Sequence, residues 1–127
     1  MPFNILLVDD DAVQALTRKA ILASVGHNVW IANNAHEALH LLSDAGLARQ
    51  VGLVITDHLM PRMNGPQFVS ELRRKFPAMP ILVLSGLPDG DTEYQSLNVL
   101  YRLKPLAPDE LIELVQFICR TSLGRTA

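Results

Sequence analysis

The sequence predicts one α/β domain in which helices cover both faces of a parallel β-sheet. Three observations carry that expectation. Five short apolar runs are spaced along the chain, segments of helical period lie between them, and 127 residues make one ordinary domain.

The runs span residues 5–8, 28–32, 53–55, 81–84 and 99–103. The first, third and fourth are apolar throughout, as strands buried on both faces must be. Val13, Leu16, Ala20 and Ile21 form the first helical stripe, and Ala35, Ala38, Leu39 and Leu42 the second. Phe68, Val69, Leu72 and Phe76 form a third, and Leu111, Leu114, Val115 and Ile118 a fourth. Strands alternating with such segments are joined by right-handed crossovers, which puts helices on both sides of the sheet. Residues 86–98 fit this scheme least well. Pro88 and Gly90 break a helix early there and leave about two turns after Asp91.

Composition narrows the function classes. The chain is 49% apolar, enough for a real core, and its net charge of −2 supplies no basic field for nucleic acid or an anionic membrane. The one basic run, Arg73-Arg74-Lys75, closes a predicted helix, where it meets the negative end of the helix dipole. A single cysteine, Cys119, excludes an internal disulfide framework and suits a reducing compartment. No secretory signal opens the chain, and no apolar run reaches the roughly 20 residues of a membrane helix. The expectation is a soluble, cytoplasmic domain over residues 1–121, a short polar tail over 122–127, and no output domain.

Ligands of an open parallel sheet bind beyond the carboxyl ends of its strands. Asp9, Asp10 and Asp11 follow the first run, Asp57 the third, Ser85 the fourth, and Lys104-Pro105 the fifth. Crowded carboxylates repel one another and favour a bound cation. Mg²⁺ suits them because it takes one or two carboxylates together with water and phosphate oxygens. An aspartate can attack phosphorus to form an aspartyl phosphate, with a lysine and a hydroxyl positioned on the transferring group. One of the three leading aspartates would serve as a helix cap, but three exceed that need.

The residues Leu6-Leu7-Val8-Asp9-Asp10-Asp11, Asp57-His58-Leu59-Met60-Pro61 with Gly65 beyond, Pro80-Ile81-Leu82-Val83-Leu84-Ser85-Gly86 and Leu103-Lys104-Pro105-Leu106 together resemble a known pattern. Along essentially its whole length the sequence is similar to the receiver domains of two-component response regulators, of the chemotaxis-regulator type. The resemblance implies a doubly wound, flavodoxin-like sheet of strand order 2-1-3-4-5. It implies that Asp57 takes a phosphoryl group from a histidine kinase or phosphotransfer protein and passes the signal to a downstream protein. It further implies that Asp10, Asp57, the carbonyl of Leu59 and, through water, Asp9 hold Mg²⁺. Ser85 and Lys104 would contact the phosphoryl oxygens, and Tyr101 would turn inward as the aromatic switch. Such a domain is no enzyme beyond its own phosphorylation and dephosphorylation.

The segment between Ser85 and Lys104 is shorter than in most of the family, so a shortened fourth helix is expected, as in receivers of hybrid kinases. Leu59 and Leu87 stand where polar side chains often orient the hydrolytic water, which suggests a shielded phosphoryl group. His36 and His40 have zinc-ligand spacing but no third ligand, and fit a solvated helix face. His58 reads as loop and Cys119 as buried. Ile112, Phe117 and Cys119 broaden the apolar face of the last helix and suggest a homodimer or partner surface there. Two rivals stand beside the receiver. Asp9-Asp10-Asp11-Ala12-Val13 fits the loop of haloacid-dehalogenase-type phosphatases, with Asp9 as nucleophile, although no acidic pair follows Lys104. The other is a receiver-like interaction module that takes no phosphate.

Overall fold

The computed structural model describes residues 3–125. Along the chain run β1 (Asn4–Val8), α1 (Ala12–Ala23), β2 (Asn28–Ala32), α2 (Ala35–Leu42), α3 (Ala45–Gln50), β3 (Leu53–Asp57) and α4 (Gly65–Lys75). There follow β4 (Ile81–Ser85), a 3₁₀ turn (Gly90–Tyr94), β5 (Leu100–Leu103) and α5 (Pro108–Arg125). All four strand pairings are parallel and the order is β2-β1-β3-β4-β5. This is the doubly wound sheet that the sequence predicts, with β1 inside it.

Alternation along each strand divides the core into two layers. Leu6, Val8, Val54 and Val83 face α2 and α4, where Ala38, Leu42, Phe68 and Leu72 meet them. Ile5, Leu7, Ile55 and Leu84 face α1 and α5, where Leu22, Leu111, Val115 and Ile118 complete the other layer. Every residue of β3 and β4 is buried, as their unbroken apolar runs require. β2 and β5 are the edges, and β5 is the more open of the two.

The helix starts have local causes. Asp11, Asn34 and Asp44 each accept a backbone N–H of the helix that follows, and Asn64 forms a capping box with Gln67. α3 is an addition to the sequence reading, a short helix started by Asp44. At the end of α1, Gly26 takes the left-handed φ of 96° that turns the chain toward β2.

Three elements differ from expectation. The first is the face of α1. Val13 and Leu16 are exposed at 74% and 62%, whereas Ala15 and Leu22 are buried with Arg18 between them. The inward stripe is thus 15, 18 and 22, and its charged member hides it from any search for apolar period. The second is the β4–β5 crossover. Instead of about two turns after Asp91, it holds one 3₁₀ turn that begins at Gly90 and ends at Tyr94. Ser96 and Asn98, at left-handed φ of 69° and 55°, carry the chain away from any helix. α5 continues to Arg125, past the point where the tail is expected to begin, and residues 126–127 lie outside the described part.

Candidate phosphoryl and metal site

The strand register builds the site. β3 pairs Asp57 with Leu84 of β4, and β4 pairs Ser85 with Leu103 of β5, so the acceptor candidate, the hydroxyl and Lys104 emerge at neighbouring strand ends. Val8 pairs with Thr56, which brings Asp9 and Asp10 to the same edge. Lys104 N–H donates to the Ser85 carbonyl at 2.7 Å and ties the last two ends together.

Among the described residues, Asp9, Asp10 and Asp57 place a carboxylate oxygen each within 4.8 Å of one another. Asp9 and Asp57 are buried and Asp10 is exposed. Asp11 has left the cluster to cap α1, accepting Val13 N–H and Gln14 N–H. One aspartate of the triplet is therefore a cap, and the other two belong to the site.

Two cations answer these charges. Lys104 Nζ stands 2.7 Å from Asp57 Oδ1. Arg18 Nη1 donates to Asp9 Oδ2 at 2.9 Å and stands 3.5 Å from the same Asp57 oxygen. Asp9 Oδ1 accepts Asp11 N–H at 2.9 Å. Burial, helped by the neighbouring Asp57 carboxylate, pushes the Asp9 carboxyl up to about 7 against the opposing pull of the Asp11 N–H and of Arg18. Asp57 Oδ1 is buried, yet no neighbour meets it with hydrogen-bond geometry, so charge alone holds it. A buried oxygen left so is a natural ligand for a cation. Three hard oxygen donors, one open to solvent, fit Mg²⁺.

Ser85 is buried, and its Oγ accepts Leu87 N–H at 3.0 Å. Tyr101 is half-buried and donates its hydroxyl to the Leu87 carbonyl at 2.6 Å. Leu59 and Leu87 stand exposed (68% and 44%), too open for the expected apolar cover. His36 and His40 are exposed on α2, and Cys119 is buried, as the sequence suggests.

His58 lies in the loop after β3, as read, but it is buried and held. It is 4% exposed, and its Nε2 lies 3.1 Å from the Glu93 carboxylate. In the tautomer that donates Nε2–H to Glu93, Nδ1 accepts the Tyr94 hydroxyl at 2.7 Å. Burial pushes the Tyr94 phenol upward, so it remains a donor. The rings of His58, Tyr94 and Tyr101 form one cluster, His58 edge-on to both tyrosines and the tyrosines tilted against each other. Arg18, Tyr94 and Glu93 are absent from the sequence reading. No signal in the sequence marked them, since the charge of Arg18 breaks the apolar period of its stripe and Tyr94 meets His58 only in the fold. A Cβ at Gly65 would collide with the Tyr94 hydroxyl and stand 2.9 Å from the His58 carbonyl oxygen.

The phosphatase reading fares poorly here, because Asp9 is fully buried with both oxygens engaged. Known proteins point the same way. ZraR of Salmonella typhimurium, a transcriptional regulatory protein, is 31% identical over 116 residues, covering 89% of this chain and 25% of that protein. CtrA of Caulobacter vibrioides, a cell cycle transcriptional regulator, is 30% identical over 124 residues, covering 95% of this chain and 52% of that protein. The chain thus spans only part of either regulator. A response regulator receiver protein from Pseudomonas putida superposes with a TM-score of 0.82 at 30% identity, over 92% of this chain and 98% of that one. A CheY-like receiver domain protein from Methanospirillum hungatei shares the fold at a TM-score of 0.89 and 23% identity, over 98% and 99% of the two chains. Residues 5–116 match the family model of the response regulator receiver domain, and with that fold and that cluster of carboxylates the chain belongs to the receiver domains of two-component signalling.

Proposed function

We propose that Asp57 is the phosphoacceptor and that its phosphoryl group comes from a histidine kinase or phosphotransfer protein. The observation that carries this reading is the pairing of buried Asp57 Oδ1 with Lys104 Nζ at 2.7 Å, beside Ser85. An Asp57 oxygen forms the new bond to phosphorus while the donor's P–N bond breaks, and the histidine nitrogen keeps that electron pair. Lys104 neutralises charge on the phosphoryl oxygens. Ser85 turns its hydroxyl to them after releasing Leu87 N–H.

Asp10, Asp57, the Leu59 carbonyl and, through water, Asp9 are the residues to hold Mg²⁺. When bound, the ion supplies charge neutralisation for the transferring group. Movement of Ser85 draws on Leu87, whose carbonyl accepts the Tyr101 hydroxyl, and so gives Tyr101 a route to act as the switch. The downstream partner is a protein. Phe117, 49% exposed on α5, offers a contact for it or for a second copy of the chain. No described helix is long and apolar enough to cross a membrane.

Incubation with acetyl phosphate and Mg²⁺, followed by intact mass, tests the central claim. The expected result is a gain of one phosphoryl group that Asp57→Asn abolishes. Loss in Asp9→Asn with retention in Asp57→Asn would revive the phosphatase. No gain under any condition, with partner binding indifferent to Mg²⁺ and beryllofluoride, would favour the interaction module.

A further inference from the structure

The phosphoryl chemistry above has no use for Arg18, yet Arg18 is built into the site. α1 turns it inward between buried Ala15 and Leu22, leaving its side chain 15% exposed. From there it reaches two carboxylates, at 2.9 Å from Asp9 Oδ2 and 3.5 Å from Asp57 Oδ1. Among the described residues Lys104 meets Asp57 alone, from the more open side, with 28% of its side chain exposed. A guanidinium does not lose its proton, so Arg18 is a fixed positive charge lodged within the acidic cluster. With Asp11 N–H on Oδ1 and Arg18 on Oδ2, both oxygens of Asp9 are engaged before any cation enters.

We infer that Arg18 is an internal counter-ion that competes with Mg²⁺ for Asp9 and Asp57, and thereby sets how tightly this receiver holds its metal. The inference rests on the reading of the cluster as a metal site. In the metal-free protein Arg18 offsets the repulsion between buried Asp9 and Asp57. When the divalent ion enters, the same charge opposes it and the contact with Asp9 must loosen. Removing the charge also eases proton binding, but a doubly charged ion feels the change twice as strongly, so the metal gains more.

Titration of the whole chain with Mg²⁺ by calorimetry, without phosphodonor, tests this. Arg18→Met keeps the length of the stem and removes the charge. It should tighten Mg²⁺ binding on the order of tenfold, from Coulomb's law for charges about 6 Å apart at a water-like dielectric. Arg18→Lys keeps the charge and should stay within about threefold of wild type, by the same Coulomb argument. Melting gives a second readout. Arg18→Met should melt lower than wild type without metal, and saturating Mg²⁺ should close most of that gap. If Arg18→Met does not fold, Arg18→Gln carries the same expectation. A folded charge-free variant that binds Mg²⁺ no more tightly than wild type overturns the proposal and leaves the metal site standing. Absence of Mg²⁺ binding by wild type overturns the metal site itself, and the proposal with it.

Discussion

The first three crossovers of this sheet and the fourth are held by different forces. α1, α2 and α4 each bury apolar side chains against the sheet, and Phe68, Val69 and Leu72 of α4 are fully enclosed. The β4–β5 connection has one short 3₁₀ turn, and polar pins do most of the holding. Arg73 donates to the carbonyls of Phe76, Pro77, Met79, Leu97 and Asn98, stitching the end of α4 to the approach of β5. Tyr94 and Glu93 grip His58 next to Asp57, and Tyr101 grips Leu87. Apolar packing tolerates change because any side chain of suitable volume serves. Pins are specific and fail one at a time, and they join the loop after Asp57 directly to the last crossover.

Substitution on each side should separate the two regimes. Leu72→Ala, in the packed layer, should cost about 2–5 kcal/mol in urea unfolding, as enclosed leucines do, with every element affected. Arg73→Met should cost less, about 1.5–3 kcal/mol for the loss of charge-assisted hydrogen bonds. Its signature is local. Amide exchange should quicken over residues 86–99 and at the start of β5, while β1 and β3 stay protected. Equal acceleration across the sheet would erase the distinction between the regimes.

The pin between Tyr94 and His58 can be probed by steric means. Gly65 is the first residue of α4, and its lack of a side chain admits the Tyr94 hydroxyl. Gly90 does the same for the Tyr101 hydroxyl. Gly65→Ala should destabilise by about 1–3 kcal/mol, the usual range for overpacking. Tyr94→Phe removes the atom in the way, so the double variant should lose less than the two single losses added together. Strict additivity would show that Gly65 matters for its backbone and not for Tyr94.

Much of this contrast explains what the sequence revealed. Strand positions and three apolar helix faces follow from period and from continuous apolar runs, because burial on two faces leaves that mark, whereas the sheet order was implied by the resemblance to receiver domains. Asp9, Asp10, Asp57, Ser85 and Lys104 were legible because each lies at or just beyond a strand end, and a parallel sheet gathers strand ends. The true face of α1 was not. Arg18 sits on its inward stripe, and the exposed pair Val13 and Leu16 imitates a buried one. Tyr94, Glu93 and His58 meet only because the last crossover is a single turn, and Arg73 reads as a dipole partner until the carbonyls around it are placed. Long-range polar contacts leave no periodic trace.

The smallest effect belongs to the one buried histidine on the apolar side. His27, 6% exposed before β2, accepts Phe3 N–H on Nδ1 at 2.9 Å. Burial lowers its affinity for a proton below that of an ordinary histidine. The folded chain therefore keeps His27 neutral at a pH where the unfolded chain has begun to charge it. Its contribution to stability is present above the ordinary histidine value of about 6.5 and is lost as pH falls through the depressed folded value. Protonation would also place a hydrogen on the nitrogen that now accepts Phe3. Between pH 7.5 and pH 5 the raised Asp9 carboxyl favours the folded chain as it takes up its proton, so His27 is read from a difference: His27→Gln, which keeps an acceptor but cannot titrate, should lose less melting temperature than wild type over that range. An unchanged slope in the variant would move the titration elsewhere and leave the first crossover dependent on apolar burial alone.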